Sequence, residues 1–236
     1  MSNLGNVYLI PNLLGDSLIG NVLPPMITNI IKELTHFIVE NEKSARKFIK
    51  QIAPEKPQQE LVLFTIDKHT FENDIYSFIN PCMSGFSVGV VSEAGCPGIA
   101  DPGAEIVKLA HQKNIRVIPL VGPSSILLAM MSSGLNGQNF AFNGYLPIEK
   151  SERRRTIKAL ERKVKEYKQT QIFIETPYRN DKMLSDLVET LQNDTMLCIA
   201  TEITLPTEYI KTQTVTQWKK MNISLQKRPT IFIIGS

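Results

Sequence analysis

Two loops carry the residue types that let a ligand approach bare backbone. Ser92–Gly103 reads S-E-A-G-C-P-G-I-A-D-P-G and Val121–Ser125 reads V-G-P-S-S. Each follows an apolar, strand-like run, Val88–Ser92 in one case and Ile115–Leu120 in the other. Ala94, Gly95, Gly98 and Ala100 leave the main chain uncovered, and each loop opens a helix with proline in its first turn. Asp101 is placed to cap the first of these helices and Gly122 the second, with Glu105 complementing the helix dipole. Two such loops, one βαβ unit apart, put open backbone at the C-terminal ends of neighbouring strands, where open α/β sheets bind ligands.

Other polar groupings have two readings each. Lys150–Lys168 is a charged helix with Arg153, Arg154 and Arg155 in its first turn. Either it is a solvated face, or its cations contact phosphates, the arginine run being the candidate contact because it opposes the dipole at a helix start and so points to a role beyond helix stability. Glu175-Thr176-Pro177-Tyr178-Arg179 follows a strand end, as an ordinary loop ion pair or as polar groups facing a substrate. Gly85-Phe86-Ser87-Val88-Gly89 matches G-x-S-x-G, but here the serine precedes a strand instead of following one, which excludes a nucleophile elbow.

There is no phosphate-binding P-loop and no G-x-G-x-x-G after the first strand. His36, His69 and His111 have no metal-ligand spacing, so no metal is expected. Three cysteines, an odd number, suit a reduced, cytoplasmic compartment. No apolar run is long enough to span a membrane or flanked like a signal peptide. The 236 residues suffice for one large or two modest domains, and a net charge of +3 argues neither for nor against nucleic acid.

Strands and helices alternate along the chain. Val7–Pro11, His36–Glu40, Leu61–Phe64, Val88–Ser92 and Ile115–Leu120 read as strands, with helices at Pro24–Thr35, Glu42–Ala53 and Phe71–Ile79, a pattern that predicts a parallel doubly wound sheet. The second half predicts a mixed sheet from Phe140–Tyr145, Gln171–Thr176, Met196–Thr201, Glu208–Val215 and Thr230–Ile234, with helices at Ser151–Lys168 and Asp181–Gln192. The expectation is therefore two α/β domains, 1–120 and 121–236, with a ligand cleft between them.

The motifs in order resemble one family. Ser92–Gly103 is similar to the S-D-A-G-x-P-x-I-S-D-P-G signature of the RsmI-like branch of the tetrapyrrole methylases. Val121–Ser125 is similar to its P-G-P-S/C-A, Gly144-Tyr145-Leu146-Pro147 to its G-F-L-P, and Glu175–Arg179 to its E-S-P-H/Y-R. The resemblance implies an S-adenosyl-L-methionine-dependent methyltransferase, a cofactor folded in the interdomain cleft, a homodimer, and methylation of a cytidine 2′-oxygen in small-subunit rRNA. It assigns Ala94, Gly95, Ile99 and Ala100 to the methionine side of the cofactor, with Ser124 and Ser125 beside them. Leu14, Tyr145, Pro229 and Thr230 complete the cofactor set, the adenine resting on main chain around Arg228–Thr230. Arg153, Arg154, Arg155 and Glu175 are expected to bind substrate. Glu40, Lys43 and Arg179, all after predicted strand ends, are expected to position the acceptor, with Glu40 as its base.

The departures from the family fall where substrate should enter. E-D-T-R is here Glu40-Asn41-Glu42-Lys43, H-N-E is His69-Thr70-Phe71, and R-E-L-T-K is Thr201-Glu202-Ile203-Thr204-Leu205. Lost arginine and lysine weaken the electrostatic case for RNA. A methyltransferase of another nucleotide or of a small molecule, and a catalytically silent cofactor- or RNA-binding protein, therefore stand as alternatives.

Overall fold

The structure, a computed structural model, describes residues 4–66, 70 and 72–236. His69, of the segment compared with H-N-E, and Phe71, the expected first residue of one helix, lie outside the described residues. The chain divides into two compact units, Met1–Ser124 and Ser125–Ser236.

The first unit runs β1 (Val7–Ile10), α1 (Ile19–Val22), α2 (Pro25–Glu33), β2 (His36–Val39), α3 (Glu42–Ile52), β3 (Val62–Thr65), α4 (Glu72–Phe78), α5 (Asn80–Met83), β4 (Val88–Val91), α6 (Ala104–Gln112) and β5 (Val117–Pro119). Its five strands form one sheet in the order β3-β2-β4-β1-β5, and every pairing is parallel. Strand side chains alternate between faces, so each strand feeds two cores. Ile10, Phe37 and Val91 pack with Ile27, Ile31, Phe48 and Ile49 of α2 and α3. Val7, Ile38, Val88 and Val90 face the other way, onto Ile79, Ile106 and Leu109. The expected parallel, doubly wound arrangement is the one observed.

The second unit runs α7 (Ser125–Ser133), β6 (Phe140–Tyr145), α8 (Lys150–Tyr167), β7 (Thr170–Ile174), α9 (Asn180–Thr190), β8 (Met196–Thr201), β9 (Tyr209–Thr214), α10 (Val215–Trp218) and β10 (Thr230–Gly235). The sheet order is β6-β7-β10-β8-β9. Only β6 and β7 pair in parallel, and β10 is antiparallel to both its neighbours. This is the expected mixed sheet. Phe173, Leu197, Ile199 and Phe232 pack against Ile157, Leu160 and Val164 of α8 and Met183 and Leu187 of α9. No helix among the described residues is long and apolar enough to cross a membrane.

Three local expectations need correction. Helix α6 starts at Ala104 with Gly103 as its cap at φ 127°, so Asp101 is not a helix cap. Helix α7 starts at Ser125, three residues beyond Gly122, so Gly122 is not a cap either. The short helix α10 was not expected, although its capping box, Thr214 with Gln217, is readable as T-x-x-Q.

Gly122 has a different task. A Cβ there would lie 2.2 Å from Pro11 Cγ and 2.5 Å from Pro11 Cβ, so the loops after β1 and β5 touch with no room for a side chain. Gly122→Ala is expected to cost about 2 kcal/mol, lowering the thermal midpoint by roughly 5 °C. Gly20→Ala, where nothing lies within 4 Å, should leave the midpoint within a degree or two (~2 °C) of wild type. Calorimetric scans of both variants check this; equal midpoints would contradict the interlock.

Candidate functional site

Because the first sheet is wholly parallel, the C-terminal ends of β1, β2, β4 and β5 share one edge. The order of the strands reverses about β4 and β1, the topological position at which such sheets bind ligands. Asn12 ties this edge together. Its N–H donates to Gly95 O at 2.8 Å and its carbonyl accepts from Gly95 N–H at 3.2 Å. Its side-chain amide donates to Ser92 O at 2.9 Å and to Glu93 O at 3.2 Å. Cys96 Sγ reaches Pro123 O at 3.4 Å, linking the β4 loop to the β5 loop.

The β4 loop needs left-handed backbone at Gly95 (φ 71°), Gly98 (φ 79°) and Ala100 (φ 63°). The resulting curl leaves Ala94, Ala100 and Ile99 exposed, the last by 54%. Gly95 itself is buried; a Cβ there would meet Leu14 Cδ2 at 3.3 Å and Pro123 O at 3.5 Å. It shapes the loop from beneath, while Leu14 and Ser124 are partly exposed on the flanking loops.

Carboxylates gather at the same edge. Glu40, just past β2, accepts Glu93 N–H at 3.1 Å. Ser44 Oγ donates to Glu93 Oε1 at 2.6 Å. Burial raises the Glu40 pKa; the Glu93 N–H works against that rise and the Glu93 charge adds to it. Asp101 is pushed up to about 6 by burial, then by the charges of Glu40 and Glu93. A carboxyl that titrates this high is a better proton acceptor than an ordinary one, and the group as a whole favours a cation beside it. Among the described residues no group of three or more His, Cys, Asp or Glu is arranged to hold a metal ion. Lys43 is exposed and makes no ion pair among the described residues; its backbone N–H, with that of Ser44, is capped by Asn41. A cavity of about 190 Å³, lined in part by Asn12, Leu14, Ser44, Lys47 and Glu93, adjoins the carboxylates. The sequence reading missed Asp101 and Glu93 as chemical groups; acidic residues after two neighbouring strands were the available signal.

In the second unit, Glu175 follows β7 with its side chain 2% exposed. Its Oε1 accepts Thr176 N–H at 2.6 Å and Arg179 Nη2 at 2.7 Å. The loop ion pair thus forms, and Glu175, expected to bind substrate, is spent on holding Arg179. Arg179 stays about a third exposed, with Nε unpaired. At the same edge of this sheet Arg228 Nε donates to Glu202 at 2.8 Å, a bond that holds the Glu202 carboxyl below its usual range. The Thr230 hydroxyl is buried between Thr201 Oγ1 (3.1 Å) and Arg228 O (2.9 Å), which leaves it no free hydrogen for a ligand. Pro229 and Tyr145 are exposed, and Ser125, partly exposed, opens α7.

The arginine run does not act as a unit. Arg153 is 2% exposed, with Nε donating to Asp186 Oδ2 at 2.8 Å, Nη2 also on Asp186, and Nη1 on the Pro147 and Ile148 carbonyls. Arg154 pairs with Asp186 and Glu189. Burial would raise the Asp186 pKa, but the hydrogen bonds and charges of Arg153 and Arg154 outweigh it and hold it low. Arg153 is therefore a structural ion pair and not a phosphate contact; of the three, Arg155 is the exposed one.

No family model matches the chain. It is 34% identical over 176 residues to the "Ribosomal RNA small subunit methyltransferase I" of Buchnera aphidicola subsp. Schizaphis graminum, covering 73% of this chain and 60% of that protein. It is 30% identical over 203 residues to the protein of the same name from Bacillus subtilis, covering 86% and 65%. The chain thus spans just under two thirds of either relative. Among solved structures, the methyltransferase CobJ superposes with a TM-score of 0.65 at 17% identity, covering 98% of this chain and 94% of CobJ. Uroporphyrin-III C-methyl transferase from Thermus thermophilus, complexed with S-adenyl homocysteine, gives 0.54 at 13% identity and covers 98% of both chains.

Two outcomes follow from the charges. With Asp101 near 6 when folded and its usual 3.8 when unfolded, the folded state binds more protons between those values, so Asp101 lowers stability as pH rises through that window. Asp101→Asn is expected to be more stable than wild type by roughly 1 kcal/mol at pH 8 and indistinguishable near pH 4. Urea titrations at both pH values decide; no pH-dependent difference would contradict the clustering. Asp186→Asn strands a buried guanidinium and should cost about 3–5 kcal/mol, whereas pairing Arg153→Met with Asp186→Leu should cost less than the single change. The same titrations measure it.

Proposed function

The chain is related to the proteins named ribosomal RNA small subunit methyltransferase I and has the fold of the tetrapyrrole methylases, and from that premise we propose that it is an S-adenosyl-L-methionine-dependent methyltransferase of small-subunit ribosomal RNA. The observation that carries this reading is the β4 loop. It offers an exposed apolar strip, Ala94, Ile99 and Ala100, beside the carboxylates Glu40, Glu93 and Asp101. That combination suits the methionine arm of a cofactor whose sulfur and amine are cationic. In the proposal Leu14, Ala94, Ile99, Ala100 and Ser124 hold the cofactor from the first unit, with Gly95 shaping the loop. Ser125, Tyr145, Pro229 and the main chain of Thr230 are the second unit's share.

When bound, the cofactor would supply a methyl group activated by cationic sulfur, the sulfur leaving as a neutral thioether when the methyl carbon passes to a hydroxyl oxygen. The residues of this chain position the partners and handle the proton. Asp101, with Glu40 beside it, accepts the proton that the acceptor hydroxyl sheds as its oxygen gains the methyl carbon. Lys43 and Arg179 are proposed to orient the acceptor, Arg179 being held by Glu175. Apolar side chains left exposed on α7 and β6, Leu127, Met131 and Phe140, support a homodimer. A cytoplasmic location follows from a ribosomal RNA acceptor.

A second reading, methylation of another nucleotide or a small molecule, is favoured by the carboxylates themselves. A polyanion is repelled by an acidic edge, and the adjoining Asn41-Glu42-Lys43 segment brings only one basic residue.

Calorimetry with S-adenosylmethionine and S-adenosylhomocysteine is expected to give saturable binding of both. Tritiated methyl groups should pass to small-subunit rRNA, and Asp101→Asn should lower kcat about 10²-fold or more at saturating cofactor. No binding near millimolar ligand would overturn the enzyme reading, and label confined to small molecules would favour the second.

A further inference from the structure

We infer that the outer face of helix α8, carried by Arg155, Lys158, Arg162 and Lys165, is a docking strip for an RNA phosphate backbone. The inference rests on an RNA acceptor and replaces the Arg153–Arg155 run as the contact. The core side of α8 is Arg153, Ile157, Leu160, Glu161 and Val164. At about 100° per residue, Arg155, Lys158, Arg162 and Lys165 fall within a sector of about 80° on the opposite side. At ~1.5 Å per residue they span about 15 Å of helix.

What separates this strip from an ordinary solvated face is where the acids go. Solvated helices interleave opposite charges three and four residues apart, and like charges at those spacings repel. Lys158 has Arg154 and Arg162 four residues away on either side and Arg155 three before it. The one acid within reach, Glu161, is turned inward; its carboxylate accepts Gln192 N–H at 2.8 Å and the Thr195 hydroxyl. Asp186 and Glu189 of α9 are engaged with Arg153 and Arg154. Arg155 and Lys158 make no ion pair among the described residues, and Lys165 is held by the neutral Gln192 amide. Arg162 has only a 3.7 Å contact to Glu166 across exposed side chains. The fold neutralises the inner arginines and leaves the outer cations in a row whose one ion pair among the described residues is the exposed Arg162–Glu166 contact. A membrane surface is the poorer match: a helix lying on lipid needs its large apolar residues at that surface, and those of α8 are in the core.

The test compares Arg155→Gln/Lys158→Gln/Arg162→Gln with wild type in binding a fluorescein-labelled, 20-nucleotide single-stranded RNA across a salt series. Expected is a loss of affinity of roughly 10-fold or more at low salt and a log–log salt slope shallower by about 2. Lys108→Gln/Lys113→Gln/Lys220→Gln, with the same change in net charge elsewhere, should keep most of the affinity. An unchanged slope, equal losses in the two triple variants, no RNA binding by wild type, or tighter wild-type binding to phosphatidylglycerol vesicles than to RNA would each overturn the inference. Calorimetry with S-adenosylhomocysteine on the same samples separates the two proposals: retained cofactor binding with an unchanged RNA slope sinks only the strip, and absent cofactor binding sinks the enzyme reading.

Discussion

Asn12 leaves β1 and at once pairs, main chain and side chain, with the loop that follows β4. The two strands are neighbours in the sheet but far apart in sequence. Without Asn12, the carbonyls of Ser92 and Glu93 would lack these donors at a crowded edge, and the β4 loop would lose its anchor. With it, the loop is held close enough for Cys96 to reach Pro123 and for Gly95 to sit beneath Leu14. The exposure of Ala94, Ile99 and Ala100 is a consequence. A loop pinned by its buried residues can display its small ones, with four positive-φ positions, three of them glycines, making the turns.

Electrostatics divide along the same lines in both units, with opposite results. In the first unit Glu40, Glu93 and Asp101 crowd together among backbone donors and hydroxyls, and burial drives Asp101 toward neutral pH. In the second unit three carboxylates meet arginines, two of them buried, Glu175 with Arg179 and Asp186 with Arg153, and one partly exposed, Glu202 with Arg228. Pairing lets those groups stay charged at low exposure, and it fixes side chains in place. Unpaired carboxylates hold chemistry in reserve, whereas paired ones hold architecture. That contrast supports Asp101 of the β4 loop as the proposed proton acceptor and gives Arg153 a structural task.

The architecture was legible because periodicity reports burial. Runs such as Val88–Val91 and Ile231–Ile234 are apolar on both faces, and the alternation of strand and helix distinguishes the parallel half from the mixed one. The glycine-proline loops were legible as open backbone, but their detail was not. Asp101-Pro102 looks like a helix start; the chain instead needs another turn at Gly103 before α6 can begin, which frees Asp101 for other work. Arg153 was misjudged because its partner, Asp186, lies on α9, and local sequence carries no sign of a contact between helices. The fate of Glu161 was hidden for the same reason.

In the proposed function the first unit's pinned β4 loop is the cofactor platform. Nitrogen-15 NMR titration with S-adenosylhomocysteine tests it residue by residue. The largest saturable shifts are expected on the amides of Ala94, Gly95, Ile99, Ala100 and Asp101, with Leu14 and Ser124 following at the same ligand concentration. Saturable shifts confined to other parts of the chain, with the 92–103 amides unmoved, would contradict it.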